Sequence, residues 1–402
     1  MRVACLGNMN NNMFCLVRYL RDRGLDAHLL LLSHEHAHYL PEADTYGRKH
    51  EAYMHRLGWG SEPDFAKTEP ARIARDLAGF DAVIGCNYAP AFLHKAGRRL
   101  DIFCPHGSDY YEVAFYTDER GEPTPLARAQ RAAIHEAAFI MAPFTNPDRE
   151  RYWSAIDPTG ERVAHPIPLL YLPEYSPERM ALFWTPGTAS RALASLREQH
   201  GLLVFQHVRQ CWASPALVND HKGNDVLLRG LARYVHDYGG DAGLAAFEFG
   251  PDVAASKELA RDLGLGDRIC WLPAMQRKEI MPLLSLADVA ALEFRYSWIT
   301  GGGLFESLAM SRPVLARRDD TLYPNRKLFP LLPAGNETEV AEQLDACATR
   351  PEAVATLGAK GRQWLEEEVI VPAVDAVCSM LARLGNRGRK AMSGGNNGRI
   401  NK

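Results

Sequence analysis

The sequence predicts an α/β protein with two doubly wound domains, each built on a parallel sheet with helices on both faces. Three observations support this class. Short, nearly uninterrupted apolar segments alternate with amphipathic segments of helical length along most of the chain. The alternation starts again after a proline-rich stretch at residues 165–180. The length of 402 residues also suits two domains, each large enough to bury its own core.

The first series of segments covers the N-terminal half. A strand is predicted at RVACLGN (2–8), where the apolar residues follow one another without a polar face. An amphipathic helix is predicted at MFCLVRYLRDRG (13–24), ending at its glycine. Four further strands are predicted at DAHLLLLS (26–33), DAVIGC (81–86), LDIFCP (100–105) and FIMAP (139–143).

The second series predicts a domain boundary between Pro166 and Gly201. A strand is predicted at GLLVFQHV (201–208) and a helix at GNDVLLRGLARYVHDYG (223–239). Further strands are predicted at LAAFEFG (244–250), RICWLP (268–273), DVAALEF (288–294) and PVLAR (313–317). We therefore expect domains over residues 1–175 and 190–370, a C-terminal helix over 371–385 that packs back on the first domain, and a disordered tail over 386–402.

The bulk composition argues against several classes of protein. With 46 basic and 49 acidic residues the net charge is −3, which favours neither a nucleic-acid groove nor a broad membrane-binding face. The eight cysteines form no CxxC pair, so neither a zinc ribbon nor a disulfide framework is indicated. The N-terminus lacks the pattern of a signal peptide, and no apolar run approaches ~20 residues. We expect a cytoplasmic protein without a transmembrane segment; peripheral membrane contact stays open.

Candidate binding residues follow the strands of the second series. Arg209 comes just after one strand, and Lys222 stands just before the next helix. Gly301–Gly303 opens another helix at the same predicted sheet edge, where free backbone amides bind anions. Two cations and these amides predict a diphosphate pocket. Glu306 either accepts hydrogen bonds from ribose hydroxyls or offsets the helix dipole from the first turn, and its position alone leaves both interpretations open.

These residues carry a resemblance to a known family. The pattern of Arg209 and KGND (222–225), followed by TGGGLFESLAMSRPVLA (300–316), resembles the donor-binding half of retaining glycosyltransferases with the GT-B fold, especially the group 1 enzymes of family four. It covers residues 200–370 well and the N-terminal half loosely. The resemblance implies two Rossmann-like domains facing a central cleft, with the acceptor on the N-terminal side and the nucleotide sugar on the C-terminal side.

The resemblance also implies roles for individual residues. Arg209 and Lys222 would act in catalysis by stabilising the leaving diphosphate, while Thr300, Gly301–Gly303 and Glu306 would bind the donor. The family has a pair of glutamates spaced E-x7-E, and Glu306 matches the second one.

The first glutamate of that pair is missing, because its position holds Trp298. The tryptophan would stack on the donor sugar or fill core space. Its presence leaves both the donor sugar and the activity open. Glu293, at the end of the preceding strand, is a candidate substitute for the missing acid or a solvated strand-end residue. Arg295 is a candidate for binding phosphate or an acidic sugar, or an ordinary exposed loop arginine.

Candidate residues on the acceptor side lie in two loops of the first half. His106 in CPHGSDYYEV (104–113) best matches a family histidine near the donor sugar, and we expect it to act in catalysis. Asp109 binds an acceptor hydroxyl or caps the following helix. Asn8 and Asn12 in GNMNNNMF (7–14) contact the acceptor or phosphate, or cap a helix.

A possible metal site is suggested by SHEHAHY (33–39). His34, His36 and His38 alternate and would share one face of a strand, but no supporting acid or cysteine pattern accompanies them. A polar loop is the favoured interpretation. A DxD motif is not placed convincingly in the sequence, so we expect no metal at the site.

The sequence as a whole predicts a metal-independent, retaining glycosyltransferase. Its donor would be a UDP- or GDP-linked sugar with no further cofactor, and its acceptor a carbohydrate or lipid-linked hydroxyl in cell-surface glycan synthesis. The Trp298 substitution motivates one alternative, a catalytically inactive protein that binds sugar nucleotides. A dehydrogenase is opposed by the missing GxGxxG fingerprint, and a periplasmic-type binder by the missing signal peptide.

Overall fold

The chain folds into two α/β units, which are described separately. The computed structural model describes residues 1–142 and 147–394. The first unit comprises Met1–Tyr171 together with the chain from Val369 onward, and the second comprises Leu172–Glu368. The strands are β1 (Arg2–Leu6), β2 (Asp26–Leu31), β3 (Met54–Arg56), β4 (Ala82–Gly85), β5 (Ile102–Phe103), β6 (Phe139–Met141), β7 (Glu161–Val163), β8 (Leu202–Gln206), β9 (Ala242–Phe247), β10 (Ile269–Leu272), β11 (Val289–Ala291), β12 (Val314–Ala316) and β13 (Leu332–Pro333).

Helices connect nearly all of these strands. They are α1 (Asn12–Asp22), α2 (Glu62–Lys67), α3 (Pro70–Asp76), α4 (Ala89–Lys95), α5 (Ser108–Tyr111), α6 (Pro125–Glu136), α7 (Pro147–Ile156), α8 (Pro177–Phe183), α9 (Thr188–Gln199), α10 (Asn224–Asp237), α11 (Val253–Asp262), α12 (Arg277–Leu284), α13 (Gly302–Ala309), α14 (Glu337–Thr349), α15 (Pro351–Trp364) and α16 (Val371–Gly394). A π-helical segment, Leu365–Ile370, joins α15 to α16.

The sheet of the first unit has seven parallel strands in the order β3-β2-β1-β4-β5-β6-β7. Its central strands are buried on both faces, which is why their sequences are continuously apolar. Helix α16 completes one face, where Ala373, Val377 and Met380 pack into the same core as strand residues Val3 and Ile84.

The sheet of the second unit has six parallel strands in the order β10-β9-β8-β11-β12-β13. Both sheets follow the doubly wound order, in which the chain starts in the middle and reverses direction between the first and fourth strands. The predicted α/β class with two doubly wound domains is therefore confirmed, and the predicted cleft between the domains stays a prediction.

The C-terminal end departs from the predicted boundaries. Helix α16 extends to Gly394, so the tail predicted over residues 386–402 begins inside a helix. Residues 395–402 lie outside the described part of the chain. The composition of residues 386–402, which is basic and rich in glycine, indicated disorder. This segment follows directly on residues 371–385, however, whose apolar side chains support a helix that propagates into it.

Candidate functional site

The candidate site lies where the sheet of the second unit reverses its winding. Strands β8 and β11 are neighbours there, and the helices that follow them, α10 and α13, begin beyond the carboxyl edge of the sheet. Ligands of open α/β sheets bind in this crevice. The residues that follow β8 and β11 are therefore the candidates for ligand binding.

Backbone hydrogen bonds join the loops after these two strands. The Lys222 N–H donates to the carbonyl of Cys211 at 2.7 Å, and the Phe294 N–H donates to the carbonyl of Lys222 at 2.7 Å. Gly223 has a φ of +70°, and a Cβ there would lie 3.0 Å from the Cβ of Phe294. Only glycine fits this close approach in this backbone conformation. The KG pair is thus fixed between the two loops.

The two predicted cations both lie at this edge, each with an acidic partner of its own. Lys222 Nζ lies 2.7 Å from Glu293 Oε1, and Arg209 Nη2 lies 3.1 Å from Asp220 Oδ1. Burial raises the pKa of the intervening Cys211 thiol, while the positive charges of Arg209 and Lys222 oppose that rise. Both cations therefore act electrostatically on the same small region.

The predicted donor residues other than Glu306 line one cavity, which also contains Glu293, the partner of Lys222. Its empty space is about 480 Å³, including the part open to solvent. Trp298, Thr300 and the glycines Gly301–Gly303 line it, together with Glu293 and Arg317. The second carboxylate oxygen of Glu293, Oε2, is buried and accepts no hydrogen bond from the described residues. The cavity therefore combines helix-start amides, an aromatic face and an acceptor oxygen.

Glu306 lies outside the lining of this cavity. It is the fifth residue of α13, so it is not in the first turn as the sequence suggested. Its carboxylate is buried, with Oε1 2.7 Å from Arg277 Nε and Oε2 3.0 Å from His207 Nε2. Burial alone would raise the pKa of Glu306, but the Arg277 charge and the His207 contact lower it to about 2. The contacts favour a structural ion pair, and ribose binding by Glu306 stays a prediction.

The imidazole ring of His207 also packs against the glycine turn. It follows β8 directly, and a Cβ at Gly303 would lie 3.3 Å from its Nε2 atom. The ion pair and the glycine turn are therefore packed against the same imidazole. Disturbing Glu306 is expected to disturb the amides at the start of α13.

In the first unit, the carboxylate of Asp109 organises its own loop. It is fully buried and accepts hydrogen bonds from the backbone N–H groups of Asn87 at 3.1 Å, His106 at 3.2 Å and Gly107 at 3.1 Å. Burial raises its pKa despite these donors and the nearby His106 ring. Of its two predicted roles, the surroundings favour the structural one over acceptor binding.

His106 is held by this loop. Its Nε2 lies 3.6 Å from Asp109 Oδ2, and its side chain is 12% exposed. The position of His106 beside a donor sugar stays a prediction.

The asparagines of the first loop are structural in their contacts. Asn8 is fully buried; its Nδ2 donates to Asn11 Oδ1 at 2.9 Å and to the Tyr39 carbonyl, and its Oδ1 accepts the Phe14 N–H at 2.9 Å. Asn12 is equally buried, at 2% exposure. These contacts favour helix capping, the second of the two predicted roles, and acceptor binding by either residue stays a prediction.

The alternating histidines do not share a strand face. His34 Nε2 lies 3.3 Å from Asn87 Nδ2, whereas the exposed rings of His36 and His38 stack on each other with centroids 5.6 Å apart. Across residues 1–142 and 147–394, no group of three or more His, Cys, Asp or Glu side chains has an arrangement that could hold a metal ion.

Comparisons with known proteins concern the fold. No protein-family model matches this chain, and no curated protein matches its sequence. Among solved structures, HepE from Anabaena in complex with UDP superposes with a TM-score of 0.62 at 15% identity, over 95% of this chain and 100% of that one. Sucrose-phosphate synthase from Thermosynechococcus elongatus gives 0.61 at 16% identity, over 96% and 100%. WaaG, a glycosyltransferase involved in lipopolysaccharide biosynthesis, gives 0.54 at 15%, over 93% and 98%.

The chain has the GT-B fold. The GT-B architecture suggested by the sequence resemblance is therefore confirmed. In the portion of this GT-B chain that the structure describes, no helix is both long and apolar enough to cross a membrane.

Three further residues near the candidate site were not predicted from the sequence. Arg277 begins α12 shortly after β10, His207 follows β8, and Arg317 follows β12. All three stand at the carboxyl ends of strands, so the rule that singled out Arg209 was sufficient to find them. The motifs that carry the family resemblance contain none of these three residues, so the resemblance assigns them no role.

Acidification is expected to weaken the second unit through Glu306. A pKa of about 2 in the folded state, against an ordinary 4.5, means that the ionised carboxylate stabilises the fold above pH 4.5. That contribution, about 3 kcal/mol, is lost as the pH falls from about 4.5 towards 2. Urea unfolding measured between pH 7 and 3 tests this. The Glu306→Gln variant should show a shallower decline, and an equal decline would contradict the assignment.

Proposed function

We propose that this protein is a metal-independent, retaining glycosyltransferase that moves a sugar from a nucleotide diphosphate to an acceptor hydroxyl. The proposal is supported by the sheet edge at the winding reversal, where the charges of Arg209 and Lys222 both act on Cys211 and Glu293, the partner of Lys222, lines the cavity of the Gly301–Gly303 turn. The likeness in fold to HepE, which has been crystallised with UDP and with UDP-glucose, supports a UDP-linked donor over a GDP-linked one.

The chemistry follows from charge. Breaking the glycosidic bond to a diphosphate releases negative charge, which positioned cations and amides stabilise most strongly in a site that excludes water. Lys222 has three N–H donors, so its ammonium group can keep its contact with Glu293 while it binds a phosphate oxygen. Arg209 would exchange Asp220, an exposed partner, for phosphate.

The donor sugar would occupy the cavity next to the glycine turn. Glu293 Oε2 has the free acceptor capacity to bind a sugar hydroxyl, and Trp298, 48% exposed, offers an aromatic face. Glu293 would thus replace the acid missing at position 298. The acceptor would approach from the first unit, with His106 near the reacting centre. Because WaaG acts in lipopolysaccharide biosynthesis, we extend the proposal to a cell-surface glycan acceptor.

Nucleotide binding provides a direct test. Thermal unfolding should be measured with UDP, GDP and ADP, and with UMP as the control that lacks the second phosphate. A diphosphate at 100 times its Kd should stabilise the protein by about 2.7 kcal/mol, since it binds only the folded state. UDP is expected to give the largest rise and UMP a much smaller one. No stabilisation by any of the diphosphates at millimolar concentration would contradict the proposal.

A second candidate function, sugar-nucleotide binding without catalysis, is favoured by Trp298 alone. The two candidates differ in turnover. Release of UDP or GDP from the preferred sugar nucleotide, measured with and without acceptor glycans, would establish the transferase. Tight binding with neither transfer nor hydrolysis would establish the binder.

A further inference from the structure

Arg317 borders three adjoining cavities at the carboxyl edge of the second sheet. The first is the proposed donor cavity with the Gly301–Gly303 turn. The second is lined by the start of α10 at Gly223 and by Arg295, and the third by Gly335 at the start of α14. Because Arg317 lines all three, its guanidinium is positioned to contact a ligand that extends beyond the glycine turn.

Neither Arg317 nor Arg295 forms an ion pair with an acid in the described part of the chain, although the Arg317 charge adds to the hydrogen bonds from Thr321 that lower the pKa of Asp319. Within the described ranges, no carboxylate oxygen lies within 4.0 Å of either guanidinium. Arg317 Nη1 donates to the Arg295 carbonyl at 3.4 Å, and both side chains are exposed. The adjacent Arg318 behaves differently, because its Nε lies 2.6 Å from Asp320 Oδ1. The edge therefore carries two positive charges without an ion-pair partner among the described residues.

The acids around these cavities do not balance the two arginines. Glu293 is paired with Lys222, and Glu339 accepts the Gly335 N–H at 2.6 Å. Asp225 lines the second cavity without approaching either arginine within 4.0 Å. The diphosphate already has its own cations at Arg209 and Lys222, so further positive charge beside the sugar exceeds what a neutral donor sugar needs.

We propose that the transferred sugar is a hexuronic acid whose carboxylate binds Arg317, with Arg295 alongside. This inference rests on the proposed function and specifies its substrate class. A uronic acid adds negative charge to a donor that already carries a diphosphate, so its site requires additional cations. Trp298 fits the same requirement, because an indole at this position adds no negative charge to a cavity whose one lining acid, Glu293, is already paired with Lys222.

Two matched pairs of donors test the assignment. UDP-glucuronate differs from UDP-glucose, and GDP-mannuronate from GDP-mannose, only in having a carboxylate at C6. Calorimetric titration of the full chain should show binding of the uronate at least about tenfold tighter than its neutral partner in the pair with the preferred base. Arg317→Gln should remove most of that ratio, and Arg295→Gln part of it. Affinity for the bare diphosphate should stay within about twofold in both variants.

The matched control is Arg229→Gln, an exposed arginine on α10 that lines none of these cavities. It should leave the uronate preference unchanged. The assignment is overturned if neutral sugars bind as tightly as uronates in both pairs, or if the preference survives Arg317→Gln in a variant that unfolds at the wild-type temperature. In either case retained UDP or GDP binding leaves the proposed function standing. Failure of every diphosphate to bind removes both.

Discussion

Lys222→Ala is expected to lower the rate of sugar transfer by at least ~100-fold, a loss typical of removing one preorganised group that stabilises charge in the transition state. The ammonium group is held in place by the backbone bonds on both sides of Lys222 and by the Glu293 contact. Its loss also leaves a half-buried carboxylate unpaired beside the diphosphate. Repulsion from Glu293 should therefore weaken donor binding in addition to slowing the reaction.

Steady-state assays with the preferred sugar nucleotide measure both effects. The control is Lys257→Ala, because Lys257 Nζ also pairs with a glutamate, Glu248, at 2.6 Å, but both residues are exposed and neither lines the proposed donor cavity. That variant should keep wild-type kcat and KM. The double variant Lys222→Ala/Glu293→Gln should recover donor affinity without recovering kcat. If Lys222→Ala keeps more than about a tenth of the wild-type rate, the lysine is not part of the catalytic machinery.

Glu306→Ala is expected to destabilise the second unit by about 3–5 kcal/mol, because it removes the carboxylate of a buried ion pair with the Arg277 guanidinium. Arg277 is 7% exposed and Glu306 is 7% exposed, so water cannot replace the lost partner. The same change removes the His207 contact under the glycine turn. Nucleotide affinity should therefore fall together with stability.

Urea unfolding followed by a probe in the second unit, such as Trp271 fluorescence, measures this loss. Glu248→Ala provides the control, since its pair with Lys257 is exposed and should contribute less than about 1 kcal/mol. Replacing both partners, Arg277→Met with Glu306→Leu, should restore much of the stability, because apolar side chains then occupy the site of the buried ion pair. A loss below about 1 kcal/mol for Glu306→Ala would mean that water or another group compensates Arg277.

The sequence predicted the central strands of both sheets and the edge strand β10, but missed the edge strands β3, β7 and β13. Buried strands such as β1 and β8 have continuous apolar sequences, because both faces are covered. The edge strands β3, with the sequence MHR, and β7, with the sequence ERV, are three residues long and largely exposed. Their extended conformation comes from pairing with β2 and β6, which no local pattern encodes.

The part of the candidate site that could be predicted consists of residues that directly follow a strand or begin the next helix. Arg209, Lys222 and Gly301–Gly303 reach one edge because parallel strands end on the same side. The role of Glu306 could not be predicted, since its partner Arg277 lies 29 residues earlier on a different helix. A carboxylate near a helix start looks the same in sequence whether it faces a ligand or an arginine. Asp109 presented the same ambiguity between ligand binding and capping.

Because the C-terminal helix belongs to the first unit, that unit is built from two separate chain segments, whereas the second unit is built from one. The polypeptide leaves the first unit after Tyr171 and rejoins it at Val369, so the second unit is one continuous segment while the first is assembled from two. A fragment ending at Tyr171 would lack Ala373, Val377, Met380 and Leu381 from its apolar core. The second unit can therefore be excised or grafted with two cuts, whereas the first unit cannot be expressed intact from a single stretch of gene.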